Sequence, residues 1–166
     1  MKNWKIAFTG PESSGKTTMA NWLSQHLSFD LVTEYAREYL SKKRNYDCED
    51  LNKIAREQFK RNEVSTNLII DTEMLIMKVW CEEKYNSCSK PILELLERQK
   101  IDYYFLCMPD IPWEDDPLRE NPLDRERLFR TYINYVNELG FNYSILEGDL
   151  HNRKDIVKST LQKIGL

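Results

Sequence analysis

Apolar positions follow two different periods along this chain. Short apolar runs, such as Leu68-Ile69-Ile70 and Tyr104-Phe105-Leu106, alternate with longer segments in which apolar residues recur every three or four positions. Continuous runs are typical of strands covered on both faces, and the longer period predicts amphipathic helices. The pattern predicts strands at 4–9, 29–33, 67–71, 101–108 and 142–146, and helices at 17–27, 34–41, 50–65, 73–85, 92–99, 124–139 and 153–164.

Strands that alternate with helices predict an α/β fold, with a parallel sheet covered by helices on both faces. A length of 166 residues predicts one domain spanning 1–166. The net charge of −3 gives no basic excess for a nucleic-acid surface, and no apolar run reaches the length that crosses a membrane. No signal-peptide pattern precedes the first strand, and no cysteine pair forms a C-x-x-C motif. We therefore expect a cytoplasmic protein with free thiols that binds neither nucleic acid nor membrane.

The most specific motif joins the first strand to the first helix. Residues 10–17 form a complete G-x-x-x-x-G-K-[ST] phosphate-binding loop, the P-loop. Such a loop turns successive backbone N–H groups towards an anion, its lysine reaches the β- and γ-phosphates, and its hydroxyl ligates Mg²⁺. The sequence therefore predicts ATP and Mg²⁺ as cofactors, bound by Gly10, Glu12, Ser13, Ser14, Gly15, Lys16, Thr17 and Thr18.

Two acidic residues at strand ends are candidates for the reaction itself. Asp71 closes the third strand, where an acid can hold Mg²⁺ together with Thr17, although an acid there can also cap the next helix. Glu34 follows the second strand and can take a proton from an acceptor hydroxyl, while Arg37 can hold phosphate oxygens. Glu34 and Arg37 also have the spacing of a plain surface ion pair. Sequence alone leaves open whether Glu34 or Asp71 is the base.

A proline-rich segment at 109–124 is predicted to be a lid over the nucleotide. It holds four of the six prolines and follows a strand, which is where P-loop kinases carry such a lid. Arg119 and Arg125 are candidates to stabilise charge on the transferred phosphoryl group. Trp113 is a candidate to stack on an aromatic substrate ring, with Tyr35 and Tyr39 as the opposing face.

One further arginine follows the last strand. Arg153 lies near a loop that contacts adenine in this kind of fold, so it is a candidate to stack on the base. It can equally begin the last helix.

The order of these motifs resembles the ribosylnicotinamide kinase domain of NadR-type bacterial proteins. The resemblance covers nearly the whole chain, and its most specific strings are Glu-Tyr-Ala-Arg-Glu and Pro-Asp-Ile-Pro-Trp. The matching stretches are residues 10–17, 33–39, 54–58, 70–73, 106–113 and 124–127.

That resemblance implies a P-loop NTPase fold with the kinase-type strand order 2-3-1-4-5. It also implies phosphorylation of the 5′-hydroxyl of nicotinamide riboside by ATP, with Trp113 near the cationic nicotinamide ring. One departure is Glu73, which stands where the family's Asp-Thr-Asp pattern has its second aspartate. The alternatives are a kinase for another nucleoside or small alcohol, and a regulatory ATPase without a small-molecule acceptor. Oligomeric state is left open.

Overall fold

A computed structural model describes residues 3–43, 45–64 and 66–166 of the chain. Five parallel strands form one sheet in the order β2-β3-β1-β4-β5. The strands are β1 (Lys5–Thr9), β2 (Asp30–Val32), β3 (Leu68–Ile70), β4 (Tyr103–Cys107) and β5 (Tyr143–Leu146). Both the predicted α/β class and the predicted strand order 2-3-1-4-5 are confirmed.

Seven helices connect these strands within the described residues. They are α1 (Lys16–Leu27), α2 (Tyr35–Leu40), α3 (Cys48–Asn62), α4 (Met74–Tyr85), α5 (Lys90–Arg98), α6 (Arg125–Glu138) and α7 (Leu150–Ile164).

The helices divide between the two faces of the sheet because side chains alternate along each strand. Ile6 and Phe8 of β1 pack with α1 and α7 on one face. Leu106 of β4 packs on the other face with the apolar sides of α2 to α6. This arrangement gives helices on both faces, as the alternation of elements predicts.

Capping side chains explain where two helices depart from the predicted bounds. α3 begins at Cys48 rather than at 50, because Asp47 and Asp50 form a capping box in which each side chain accepts from the other's backbone N–H. α7 begins at Leu150 rather than at 153, because the Asp149 side chain accepts from Asn152 N. α3 ends at Asn62, and Ser65, the predicted end, lies outside the described residues.

The parallel order brings the carboxyl ends of β1, β2 and β3 to the same edge of the sheet. Open α/β sheets bind their ligands at this edge, where neighbouring connections run to opposite faces. In the described part of the chain, no helix has the length and apolar character needed to cross a bilayer.

Candidate active site at the carboxyl edge of the sheet

The P-loop has the backbone conformation that an anion cradle requires. Gly10 and Gly15 have φ of 129° and 85°, a region that residues with a Cβ rarely adopt. A Cβ at Gly10 would also lie 2.7 Å from the carbonyl oxygen of Cys107 in β4. Glycine is therefore needed there both for conformation and for the close approach of β4.

The loop brings Thr17 to the acid at the end of β3. Thr17 Oγ1 donates to Asp71 Oδ2 at 2.8 Å, while Asp71 is only 4% exposed. Lys16 Nζ lies against the loop and donates to the carbonyl oxygens of Gly10 at 2.9 Å and Pro11 at 2.6 Å. A hydroxyl and a carboxylate in contact are the hard oxygen ligands that Mg²⁺ prefers, so these residues fit the predicted metal.

Three charged groups of this site are shifted towards their neutral forms. Burial lowers the pKa of Lys16 and raises the pKa values of Glu34 and Asp71, and in each case desolvation is the largest cause. Lys16 opposes the rise for both acids, whereas Glu34 and Asp71 repel each other. Ionisable groups perturbed in this way at one cleft are characteristic of functional sites.

The predicted pair of Glu34 and Arg37 extends to the lid. Arg37 Nε contacts Glu34 Oε2 at 2.8 Å, and Arg37 Nη1 contacts Asp116 Oδ2 of segment 109–124 at 2.6 Å. Arg37 therefore connects the candidate base to the lid, so its ion pair with Glu34 is more than a local contact on the protein surface. Glu34 Oε1 accepts no hydrogen bond from the described residues.

The lid lies closed over the P-loop. The Glu12 carboxylate accepts from Glu120 N at 3.1 Å and Asn121 N at 2.9 Å. Ser13 Oγ accepts from Glu114 N at 2.9 Å. These contacts use side chains of the P-loop itself, so closure of segment 109–124 and the geometry of the phosphate site depend on each other.

A cavity of about 190 Å³ lies between the P-loop, the lid and helices α4 and α6. Twelve of the residues predicted for the site line it: Gly10, Glu12, Ser13, Ser14, Gly15, Lys16, Thr17, Thr18, Glu34, Arg37, Asp71 and Arg119. Residues separated by more than 100 positions in the sequence thus meet at one cleft.

The predicted aromatic residues lie outside this lining. Trp113 is half-buried within the lid, where its Nε1 donates to Asp115 Oδ1 at 2.7 Å and the Arg125 guanidinium lies 5.6 Å from its ring centroid. The rings of Tyr35 and Tyr39 are tilted by 58° to each other, with their centroids 6.0 Å apart. The predicted roles of Trp113, Tyr35 and Tyr39 in substrate binding stay predictions.

Two predicted arginines also lie outside the lining and hold backbone instead. Arg125 Nη1 donates to Ser13 O at 2.9 Å and Ile111 O at 3.0 Å. Arg153 is 2% exposed and begins no helix, since α7 starts three residues earlier. Contact of Arg125 with phosphate and of Arg153 with adenine stay predictions.

Arg153 holds the backbone of the P-loop through hydrogen bonds. Its Nη1 donates to Ser14 O, its Nη2 donates to Met108 O at 2.8 Å and to Asp110, and its Nε donates to Gly148 O at 2.9 Å. The guanidinium therefore ties the P-loop to the segments that follow β4 and β5.

Glu73, the departure from the family pattern, has a structural role here. It is fully buried, caps α4 by accepting from Leu75 N at 2.7 Å, and accepts from Thr9 Oγ1 at 2.9 Å. It does not line the cavity. Burial raises the pKa of its carboxyl group.

Sequence reasoning missed the far end of the cavity. One face of α4 lines it with Ile76, Val79, Trp80 and Glu83, which have the spacing i, i+3, i+4 and i+7. Leu128 and Tyr132 of α6 complete the wall. The helical spacing is visible in the sequence, but an apolar helix face of this kind predicts packing against a core.

A family described as an AAA domain matches residues 5–153. The chain belongs to this family. The trifunctional NAD biosynthesis/regulator proteins NadR of Escherichia coli (strain K12) and Salmonella typhimurium are each 25% identical to it, over 155 and 162 residues. These alignments cover 86% and 89% of the chain but only 38% and 39% of the relatives, so the chain spans less than half the length of the curated relatives it matches.

Solved structures share the fold at low identity. A NadR protein in complex with NR superposes with a TM-score of 0.76 and 16% identity, covering 99% of this chain and 51% of that one. Deoxyadenosine kinase from M. mycoides superposes with a TM-score of 0.71 and 15% identity, covering 96% and 99%. The predicted resemblance to a NadR-like P-loop kinase domain is confirmed.

The Arg153 contacts generate a stability prediction. Arg153→Met should lower the free energy of unfolding by about 2–4 kcal/mol, because the carbonyl groups of Ser14, Met108 and Gly148 lose their donor inside the protein. Urea denaturation measures the loss. Lys158→Met, on the exposed side of the same helix, is the control and should change the free energy of unfolding by less than about 0.5 kcal/mol. Equal losses of unfolding free energy in the two variants would contradict this structural role of Arg153.

Proposed function

We propose that this chain is an ATP-dependent kinase that phosphorylates the 5′-hydroxyl of nicotinamide riboside, giving nicotinamide mononucleotide. The observation that carries the proposal is a cavity that joins a complete P-loop to an aromatic and acidic far end. The P-loop end suits a nucleoside triphosphate, and the far end suits a nucleoside with a cationic ring.

Charge and aromatic surface at the far end support a cationic acceptor. Trp80 and Tyr132 supply two aromatic side chains, and Glu83 and Glu120 add carboxylates that are paired with Arg127 and Lys84. A pyridinium ring is flat and positively charged, so it gains mainly from stacking on aromatic faces, and the paired carboxylates add a smaller attraction. A neutral nucleoside would gain only the stacking.

Residues at the phosphate end suit transfer to a hydroxyl. ATP with Mg²⁺ supplies the phosphoryl group when bound. Lys16 would hold phosphate oxygens, Thr17 and Asp71 would hold the metal, and Arg119 would neutralise charge from the lid. We assign the base to Glu34, because Asp71 accepts from Thr17 and would hold the metal together with it, whereas Glu34 lies outside that pair, beside Arg37.

Closure of the lid supports transfer rather than hydrolysis. The contacts of Glu12 and Arg37 with segment 109–124 cover the reacting end of the cavity. Covering that end excludes water, which would otherwise compete with the acceptor hydroxyl. Phosphate transfer would therefore depend on an acceptor bound beneath a closed lid.

The similar proteins are the reason for proposing nicotinamide riboside as the acceptor. The curated relatives are NAD biosynthesis proteins, and a structure of the same fold is described as a complex with NR. The chain aligns with only 38% of the E. coli protein, so the regulator role named for that protein is not carried over.

ADP release from Mg-ATP, with a panel of nucleosides, tests the proposal. Nicotinamide riboside should stimulate ADP release at least 100-fold over the acceptor-free rate, and Lys16→Ala should abolish the stimulation because the phosphate contact is lost. If a different nucleoside alone stimulated ADP release, that nucleoside would replace nicotinamide riboside as the proposed acceptor. ATP hydrolysis unaffected by any nucleoside would favour a regulatory ATPase.

The aromatic lining predicts which tryptophan binds the acceptor. Trp80→Leu should raise the KM for nicotinamide riboside about 10-fold and leave the KM for ATP within about 2-fold, because only the far end changes. Steady-state kinetics with each substrate varied measure both constants. Trp113→Leu is the matched variant. If it raised the KM for nicotinamide riboside more than Trp80→Leu does, the nicotinamide ring would bind at Trp113 in the lid, as the sequence predicts.

Burial of Glu34 predicts a pH dependence. Since burial raises the pKa of Glu34 and the base must be ionised, kcat/KM should fall as the pH is lowered through that raised pKa. The acidic limb should therefore lie above the ordinary glutamate value, about 4.3. In Glu34→Gln the residual rate should be at least 100-fold lower and lack this limb. A wild-type limb at or below the ordinary value would contradict the assignment.

A further inference from the structure

Two buried amides of α3 reach the segments that carry both candidate acids. Gln58 is fully buried, Asn62 is 5% exposed, and neither lines the cavity. They lie one helical turn apart, and Gln58 Nε2 donates to Asn62 Oδ1 at 3.2 Å. The sequence string at 54–58 belongs to the NadR resemblance, but the proposed function gives these two residues no task.

Gln58 holds the backbone on both sides of Glu34. Its Oε1 accepts from Tyr35 N at 2.8 Å, and its Nε2 donates to Thr33 O at 3.3 Å. One planar group thus supplies an acceptor to the residue after the acid and a donor to the residue before it. A carboxylate cannot donate, and leucine can neither donate nor accept, so the chemistry of this position is specific to an amide.

Asn62 extends the connection to the other acid. Its Nδ2 donates to Thr72 O at 3.1 Å, directly after Asp71. The remaining link is in the backbone, where Asp71 N donates to Val32 O at 3.0 Å. A continuous chain of hydrogen bonds therefore runs from Thr33 and Tyr35 through Gln58 and Asn62 to Thr72.

We infer that Gln58 and Asn62 form a brace that sets the distance and orientation between Glu34 and Asp71. The inference rests on the proposed function, in which these acids serve as base and metal ligand. β2 is a three-residue strand at the edge of the sheet, and its side chains are only partly buried. Such a strand gives little rigidity of its own, so the amides of α3 supply it.

Gln58 and Asn62 are positioning residues because they act through Glu34 and Asp71 and do not line the cavity themselves. Loosening the brace leaves the lining residues for the acceptor and ATP unchanged, while the two acids lose their fixed relation. Misplacement by about 1 Å at a reacting centre costs on the order of 100-fold in rate. The effect should therefore fall on kcat rather than on the KM for the acceptor.

Kinetics of Gln58→Leu and Asn62→Leu test the brace, with Asn52→Leu as the matched control. Asn52 is a buried amide on the same helix, and its partners are Glu49 and Ser89, neither of which adjoins Glu34 or Asp71. Both brace variants should lose about 10- to 100-fold in kcat with the KM for nicotinamide riboside within about 3-fold, whereas Asn52→Leu should keep kcat within about 2-fold. Losses in kcat as large in Asn52→Leu would overturn the inference.

A second readout separates positioning from general damage to the fold. In Gln58→Leu, Glu34 should become better solvated, so the acidic limb of kcat/KM should move to lower pH than in the wild type and in Asn52→Leu. Rates are measured at a temperature where thermal melts show all variants folded. An unmoved limb together with unchanged kcat would overturn the brace.

A binding measurement stays informative if the proposed acceptor is wrong. The ratio of ATP affinity with Mg²⁺ to ATP affinity with EDTA reports the metal ligands and needs no acceptor. This ratio should fall about 10-fold in Asn62→Leu and stay within about 2-fold in Asn52→Leu. A wild type that binds Mg-ATP but is not stimulated by nicotinamide riboside would refute the proposed function alone. An unchanged ratio in Asn62→Leu would refute the brace alone.

Discussion

The candidate site depends on one hydrogen bond, from Thr17 Oγ1 to Asp71 Oδ2, because it joins the first helix to the end of β3. β1 and β3 are neighbours in the sheet with parallel register, so their carboxyl ends emerge side by side. Thr17 of the P-loop after β1 and the acid after β3 are thereby brought together, although they are 54 positions apart in the sequence. Every other group of the site is arranged around this contact, with Arg37 and Glu34 on the β2 side and the lid above.

Sequence predicts the parts of this site that local conformation determines. The P-loop can be identified from its glycines and its lysine, because a fixed backbone geometry is encoded in eight consecutive residues. The acids at strand ends can be identified because hydrophobic runs end there, and parallel strands bring their ends to one edge. The strand order followed from the resemblance to a family, since no local pattern specifies which strands pair.

The far end of the cavity, on α4 and α6, could not be predicted in the same way. Trp80 and Tyr132 lie on apolar helix faces, and such a face has the same pattern whether it meets a core or a cavity. Trp113, by contrast, stands out because it interrupts a polar, proline-rich segment, and it lies outside the cavity lining with the Arg125 guanidinium near its ring. Residue type and local polarity do not show which helix face lines a cavity, because helix packing determines it.

The electrostatics of the site explain why so much of the structure restrains it. Burial shifts the pKa values of Lys16, Glu34 and Asp71 towards their neutral forms. For the two acids the folded pKa exceeds the unfolded one, so their ionisation costs stability at neutral pH, and the cost falls as the pH falls through those pKa values. Repulsion between two carboxylates in such a setting would move them apart if their backbone could yield.

The hydrogen bonds that restrain the backbone are therefore linked to the charge of the two acids. The amides of Gln58 and Asn62 hold the acid-bearing segments, and Arg153 holds the P-loop from beneath. Because the backbone is held, the two carboxylates cannot move apart to reduce their mutual repulsion. Their negative charges therefore stay close together and attract cations. A divalent metal would relieve part of the acidic charge that Glu34 and Asp71 bring to the lining. Two carboxylates held in place and shifted by burial thus favour the metal that phosphoryl transfer needs.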